Sequence, residues 1–166
     1  MIHDDIVSQE TYWEVASVPV VTQGRAVIDV PASTAWALLA DYANDPLWRK
    51  GVTRMDQRPQ GLVCDGAHVV EELRILGRTV VTQIELHDVQ PGTSFAWRAI
   101  DGPGAHGTRA IIPLGSARCE IRTYREITLR GLDRLLHPVV SWSMARTERD
   151  DLRRAAALVA EHAASR

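Results

Sequence analysis

Apolar positions alternate with polar ones through the middle of this chain and recur every three to four residues at its end, which predicts a run of strands closed by one long helix. From Val20 the alternation is clear: Ala26, Ile28 and Val30 interleave with Arg25, Val27 and Asp29, and Pro31 stops the strand. Ser33 is then the expected N-cap of a helix over Thr34 to Ala40. A second helix, Tyr42 to Trp48, carries Pro46 and so is held to a turn or two. After Gly51 the pattern predicts antiparallel strands near Val52 to Arg58, Ala67 to Ile75, Arg78 to Val89, Ser94 to Ile100, Gly107 to Leu114 and Ala117 to Leu129. Between them stand turn residues: Leu76-Gly77, Gln90-Pro91-Gly92, Asp101 to Gly104 and Gly115-Ser116. The closing helix runs from Pro138, a favoured first helical position, to Ala164. Its predicted apolar face is Val139, Trp142, Ala145, Leu152, Ala156, Val159 and Ala163, with Arg149 falling on the same stripe. At about 1.5 Å per residue it spans roughly 40 Å, enough to cross the sheet.

Before Val20 the pattern is mixed, and Met1 to Pro19 reads as an arm beside a single domain over residues 20–166. The 166 residues, 45% hydrophobic and 24% charged, suit one globular domain with a sizeable core. A net charge of −2 and scattered arginines offer no basic field for nucleic acid. No apolar run approaches the roughly 20 residues that cross a bilayer, and the start, MIHDDIVSQE, is acidic where a secretory signal is basic, so a cytoplasmic protein is expected. Cys64 and Cys119 form no CxxC pair, and the six histidines show no ligand spacing, so neither a disulfide scaffold nor a metal or other cofactor is indicated.

A strand, two short helices holding a Pro-x-Trp, six further strands and a long closing helix resemble the START-like helix-grip (SRPBCC) superfamily, which includes the polyketide cyclase/dehydrase group. The resemblance covers roughly Val20 to Ala164 and rests on the block VPASTAWALLADYANDPLW, Val30 to Trp48, and on GLDRLLHPVVSW, Gly131 to Trp142. It implies an α+β fold: a seven-stranded antiparallel sheet curled around a long C-terminal helix, with an apolar cavity between them. It implies no single reaction, because similar proteins range from aromatic polyketide cyclases to lipid carriers.

Strand alternation also picks out candidate chemistry. In the third strand Val69, Glu71, Leu73 and Ile75 share a face. In the last, Cys119, Ile121, Thr123, Arg125, Ile127 and Leu129 do. Glu71 and Arg125 are the charges on these apolar faces, and they either pair with each other or hold a ligand carbonyl or phenol. A carboxyl shielded from water can act as general acid or base in an aldol cyclisation with dehydration, with Arg125 stabilising the enolate. A bulge would instead turn either residue outward, and a buried ion pair would make both structural. Trp48, Phe95, Trp97 and Trp142, with Thr123, are candidate ligand contacts, aromatic rings being equally suited to pocket wall and to core. Tyr124 falls on the polar face. Gly102 to Gly107 spells GxGxxG, but a strand follows it where a nucleotide site needs a helix N-terminus. His106 and Arg109 nearby either reach a pocket mouth or, the favoured reading, are solvated turn residues. The expected function is binding of a hydrophobic, aromatic or polyketide-like molecule, with cyclisation as the enzymatic reading and carriage or sensing as the alternative. No unusual exposed apolar stretch favours a protein-interaction module.

Overall fold

The computed structural model describes residues 17–75, 77–102, 104–129 and 135–165. The arm expected over Met1 to Pro19 lies outside the described residues up to Ala16. Seven strands follow, β1 (Val18–Ile28), β2 (Val52–Arg58), β3 (His68–Ile75), β4 (Arg78–Gln90), β5 (Ser94–Ala99), β6 (Ala105–Pro113) and β7 (Cys119–Leu129). After β1 come α1 (Ala32–Leu39) and a 3-10 helix (Tyr42–Leu47), and α2 (His137–Ala164) closes the chain. All strand pairs are antiparallel in the order β1-β7-β6-β5-β4-β3-β2, so the sheet is open, with β1 and β2 as its edges. This is the helix-grip architecture. None of the described helices is long and apolar enough to cross a membrane.

Boundaries differ from the sequence reading by one or two residues, and the caps explain one of the shifts. Pro31, not Ser33, is the N-cap of α1, and no side chain caps it. Its carbonyl accepts from the Thr34 and Ala35 amides, 3.0 and 3.3 Å away, which places Ser33 inside the first turn. The 3-10 helix is capped by Asp41, whose carboxylate accepts from the Ala43 amide at 3.0 Å.

The pairing register puts the predicted faces together. Glu71 stands opposite Met55 on β2 and Thr82 on β4, and Arg125 stands opposite Thr22 on β1 and Gly107 on β6. Both lie on the inner face, which α1, the 3-10 helix and α2 cover. Its packed end holds Ile28, Leu39, Val69, Leu86, Phe95, Ile111 and Ile121. Tyr124 is on the outer face, as alternation predicts, and donates to Glu126 at 2.7 Å.

Two glycines let large groups approach the sheet. A Cβ at Gly24 would collide with the Leu152 methyl and lie 2.9 Å from the Thr123 hydroxyl, so α2 seats on β1 only because position 24 is bare. At Gly107 a Cβ would meet the Tyr124 carbonyl and two ring carbons of Trp97 at 2.8 Å. Gly107→Ala is therefore expected to cost about 1–3 kcal/mol, since backbone cannot yield as a flexible side chain does. A lowered urea midpoint together with altered near-ultraviolet dichroism from a displaced Trp97 checks this; an unchanged midpoint would contradict it.

The predicted apolar stripe of α2 holds at Leu152, Ala156, Val159 and Ala163 and is corrected over the first half of the helix. Its buried residues are Glu148, Asp151, Leu152, Ala155 and Val159, while Val139, Trp142, Ala145 and Arg149 face outward. Apolarity alone selects the wrong face over the first half of the helix, because Glu148 and Asp151 are turned inward by polar partners on the sheet and on the loop before β2.

Candidate active site

The inner face carries a chain of buried charges that begins at Asp45. This residue sits in the 3-10 helix with no exposed surface, while Arg109 of β6 is 7% exposed. Their contact is bidentate, Arg109 Nη1 to Oδ1 at 3.0 Å and Nη2 to Oδ2 at 2.8 Å, and Nη1 also donates to the Leu39 carbonyl at 2.5 Å. The guanidinium carbon lies 4.7, 5.1 and 5.4 Å from the ring centres of Trp48, Tyr42 and Phe95, an aromatic box that replaces water around the cation. Burial works against the Arg109 charge, but the Asp45 carboxylate outweighs it and holds the guanidinium above the ordinary arginine range. Arg109 is thus a core residue, not the solvated turn residue that the sequence suggested. The alternation that singled out Arg125 applies equally to Ala105, Gly107, Arg109 and Ile111, and that signal was there to be read.

Arg49 carries the chain onward. It donates to Asp45 at 3.1 Å and to Glu71 at 2.7 Å. Burial again opposes its charge, and Glu71 and Asp45 together more than compensate. Glu71 is therefore paired, but with Arg49 and not with Arg125.

Arg125 meets Glu148 of α2 at 3.7 Å, and Glu148 also accepts from the Thr123 hydroxyl at 2.6 Å. The Arg125 side chain remains 25% exposed. Burial and then the Arg49 cation push it below the usual arginine value, so an anion beside it would be welcome. Next along α2, Asp151 accepts from the Lys50 amide at 2.9 Å and pairs with Arg154. Burial nevertheless raises its carboxyl above the usual range. Neither Glu148 nor Asp151 stood out in the sequence, where they read as ordinary surface acids of a charged helix.

The predicted aromatic contacts separate into three environments. Phe95 and Trp48 are buried in the box around Arg109, and Phe95 also packs edge-on against Trp36, with ring centres 6.1 Å apart. Trp97 is half-buried over Gly107, on the same stretch of inner face as Arg125. Trp142 is 65% exposed on the outer side of α2, because the helix turns its other face to the sheet. Around Trp97 and Arg125 the inner-face residues Leu73, Thr82, Ala99, Ala105, Ile127 and Leu129 are only half-buried. This end of the sheet is less covered than the packed end. Directly opposite Arg125, the Thr22 hydroxyl is buried, in a residue 4% exposed, and finds no hydrogen-bond partner among the described residues. Two surface grooves, of about 280 and 310 Å³, lie elsewhere, along β1 and α2 and between the 3-10 helix and β2.

Residues 19–160 match the family described as Polyketide cyclase / dehydrase and lipid transport. Among curated proteins none matches. Solved structures share the fold. The Zhui aromatase/cyclase from Streptomyces sp. R1128 superposes with a TM-score of 0.74 at 13% identity, over 88% of this chain and 96% of that one. The di-domain ARO/CYC StfQ from the steffimycin biosynthetic pathway gives 0.72 at 16% identity over 88% of this chain; it is matched over only 52% of its own length, so this chain spans about half of it. A point mutant of norcoclaurine synthase from Thalictrum flavum gives 0.65 at 14% identity, over 90% and 99% of the two chains. With the family match running from the first strand to near the end of α2, this chain belongs to the polyketide cyclase / dehydrase and lipid transport family.

Proposed function

We propose that the protein binds a hydrophobic, aromatic or polyketide-like molecule against the half-buried end of the inner face and cyclises it with loss of water, without a cofactor. The observation that carries this reading is the placement of Glu71 and Arg125 on one inner face, each held by a different partner and neither neutralised by the other. In this scheme Glu71 removes a proton from a methylene between two carbonyls, and the Arg125 guanidinium receives the charge that develops on the enolate oxygen. The enolate carbon bonds to a second ketone of the same chain, whose oxygen takes up the proton, and water then leaves; no oxidant or reductant is consumed. Trp97 supplies a flat apolar wall, and Thr123 positions Glu148 beside Arg125. Names of structural neighbours lend support, since two of them are aromatase/cyclases.

Carriage without chemistry is the second reading, and one observation favours it: both candidate charges already have partners, Arg49 for Glu71 and Glu148 for Arg125. Native mass spectrometry of protein purified from its own source tests the shared premise. A stoichiometric aromatic or acyl compound is expected, with affinity about tenfold weaker in Trp97→Ala, a loss on the scale of one aromatic contact. A protein that arrives empty and ignores a panel of hydrophobic dyes overturns both readings.

A further inference from the structure

The groove of about 280 Å³ runs along the edge of β1 against α2, lined from the strand by Gln23 to Ala26 and from the helix by Ala145, Arg149, Leu152 and Arg153. It is at the small end of ligand pockets. Gly24 and Ala26 keep it open, and two arginines of α2, Arg149 and Arg153, line it, with Arg25 beside them on the edge strand. In a chain of net charge −2 this concentration is local. Among the described residues Arg25 and Arg149 pair with no carboxylate, and Arg153 shares only Asp150, at 3.2 Å.

Neighbouring acids are committed elsewhere. Arg25 stands directly across from Arg122 of β7, two like charges on one face, and Glu120 on that face is taken by Arg122 through bonds of 2.7 and 3.3 Å. Glu148 lies with its stem against Gly24, but its carboxylate turns away to Thr123 and Arg125. The groove therefore holds Arg149 without a matching anion and Arg153 with only Asp150, beside a strand edge that no other strand occupies among the described residues.

We propose that this groove binds a phosphate group, whose oxygens suit the forked guanidinium donors, carried either by a soluble phosphate ester or by a lipid headgroup. The site is separate from the one proposed for cyclisation. The lipid source has its own structural support: Trp142, Arg146, Arg149 and Arg153 fall on one face of α2 at helical spacing, and that face continues at its N-terminal end into exposed Val139, Leu136 and Leu135. Arginines at phosphate depth with Trp and Leu alongside is the arrangement of a helix lying on an anionic membrane.

The test uses the full chain, isotopically labelled for NMR, and titrates inorganic phosphate at constant ionic strength with chloride as control. Saturable shifts are expected at the Gln23 to Ala26 amides, with affinity about tenfold weaker in the Arg149→Gln, Arg153→Gln double variant. Sedimentation with phosphatidylcholine vesicles, with and without phosphatidylglycerol, separates the sources. Capture by the anionic vesicles that is lost in the double variant and in Trp142→Ala assigns a lipid headgroup; saturable phosphate binding without capture assigns a soluble ester. If chloride reproduces the shifts, or the double variant retains them, and no capture depends on the arginines, the proposal is overturned.

Discussion

Arg109→Ala is expected to lower the stability of the protein by about 3–5 kcal/mol, the cost of leaving one member of a buried ion pair without its partner. For a chain of this size that shifts the thermal midpoint by roughly 6–20 °C. Asp45 has no exposed surface, and both of its oxygens face Arg109. Without the guanidinium, Asp45 retains only Arg49 among the described residues, and the three rings of the aromatic box enclose a cavity. The Leu39 carbonyl also loses its Arg109 donor. Arg109→Met with Asp45→Asn should recover part of the loss, because the uncompensated charge is removed and volume is largely kept. Urea denaturation of the two variants and the parent measures both effects. A single-variant loss below about 1 kcal/mol would mean that the box tolerates water and that the pair behaves as a surface contact.

On the proposed cyclisation, Glu71→Gln is expected to reduce product formation by about 10²–10⁴-fold while ligand affinity stays within a few-fold, the pattern of a lost proton-transfer group. Glutamine keeps the shape and can still accept from Arg49 through its carbonyl oxygen, so the site stays assembled. What disappears is the ability to take a proton. Product analysis after incubation with a ligand recovered from the native protein reads the effect, and affinity measured in parallel separates chemistry from binding. A product profile that does not change in the variant would remove Glu71 from the mechanism and leave the carrier reading in place. Arg49 is the partner that positions Glu71, since it reaches both Glu71 and Asp45 and so ties the candidate base to the core.

Strand order along the chain and the inner faces of β3 and β7 were legible because alternation has a period of two, so one apolar face fixes the direction of every side chain on it. Glu71 and Arg125 face inward for that reason. The same rule reaches Arg109 on β6, yet its neighbours Gly102 to Gly107 looked like a turn and hid it. The face of α2 was misread over its first half. A helix stripe is inferred from apolar residues, and here two of the residues turned inward are acids, Glu148 and Asp151, matched to Arg125, Thr123 and the Lys50 amide. Conversely, Val139 and Trp142 look like core residues in sequence and lie outside.

The helix-grip fold was what a family resemblance of the elements implied, whereas the alternation, the punctuation and the long final helix were fixed by sequence alone, and with them the inward placement of Glu71 and Arg125. Local physics suffices there, since pleat, turn residues and helical period act between near neighbours. Only the tertiary structure decided which charges pair. Asp45 reaches Arg109 across 64 residues and Arg49 reaches Glu71 across 22, while the Lys50 backbone amide donates to buried Asp151 across 101. Such partners are selected by burial, where an unpaired charge is too costly to keep, and no spacing along the chain records that choice.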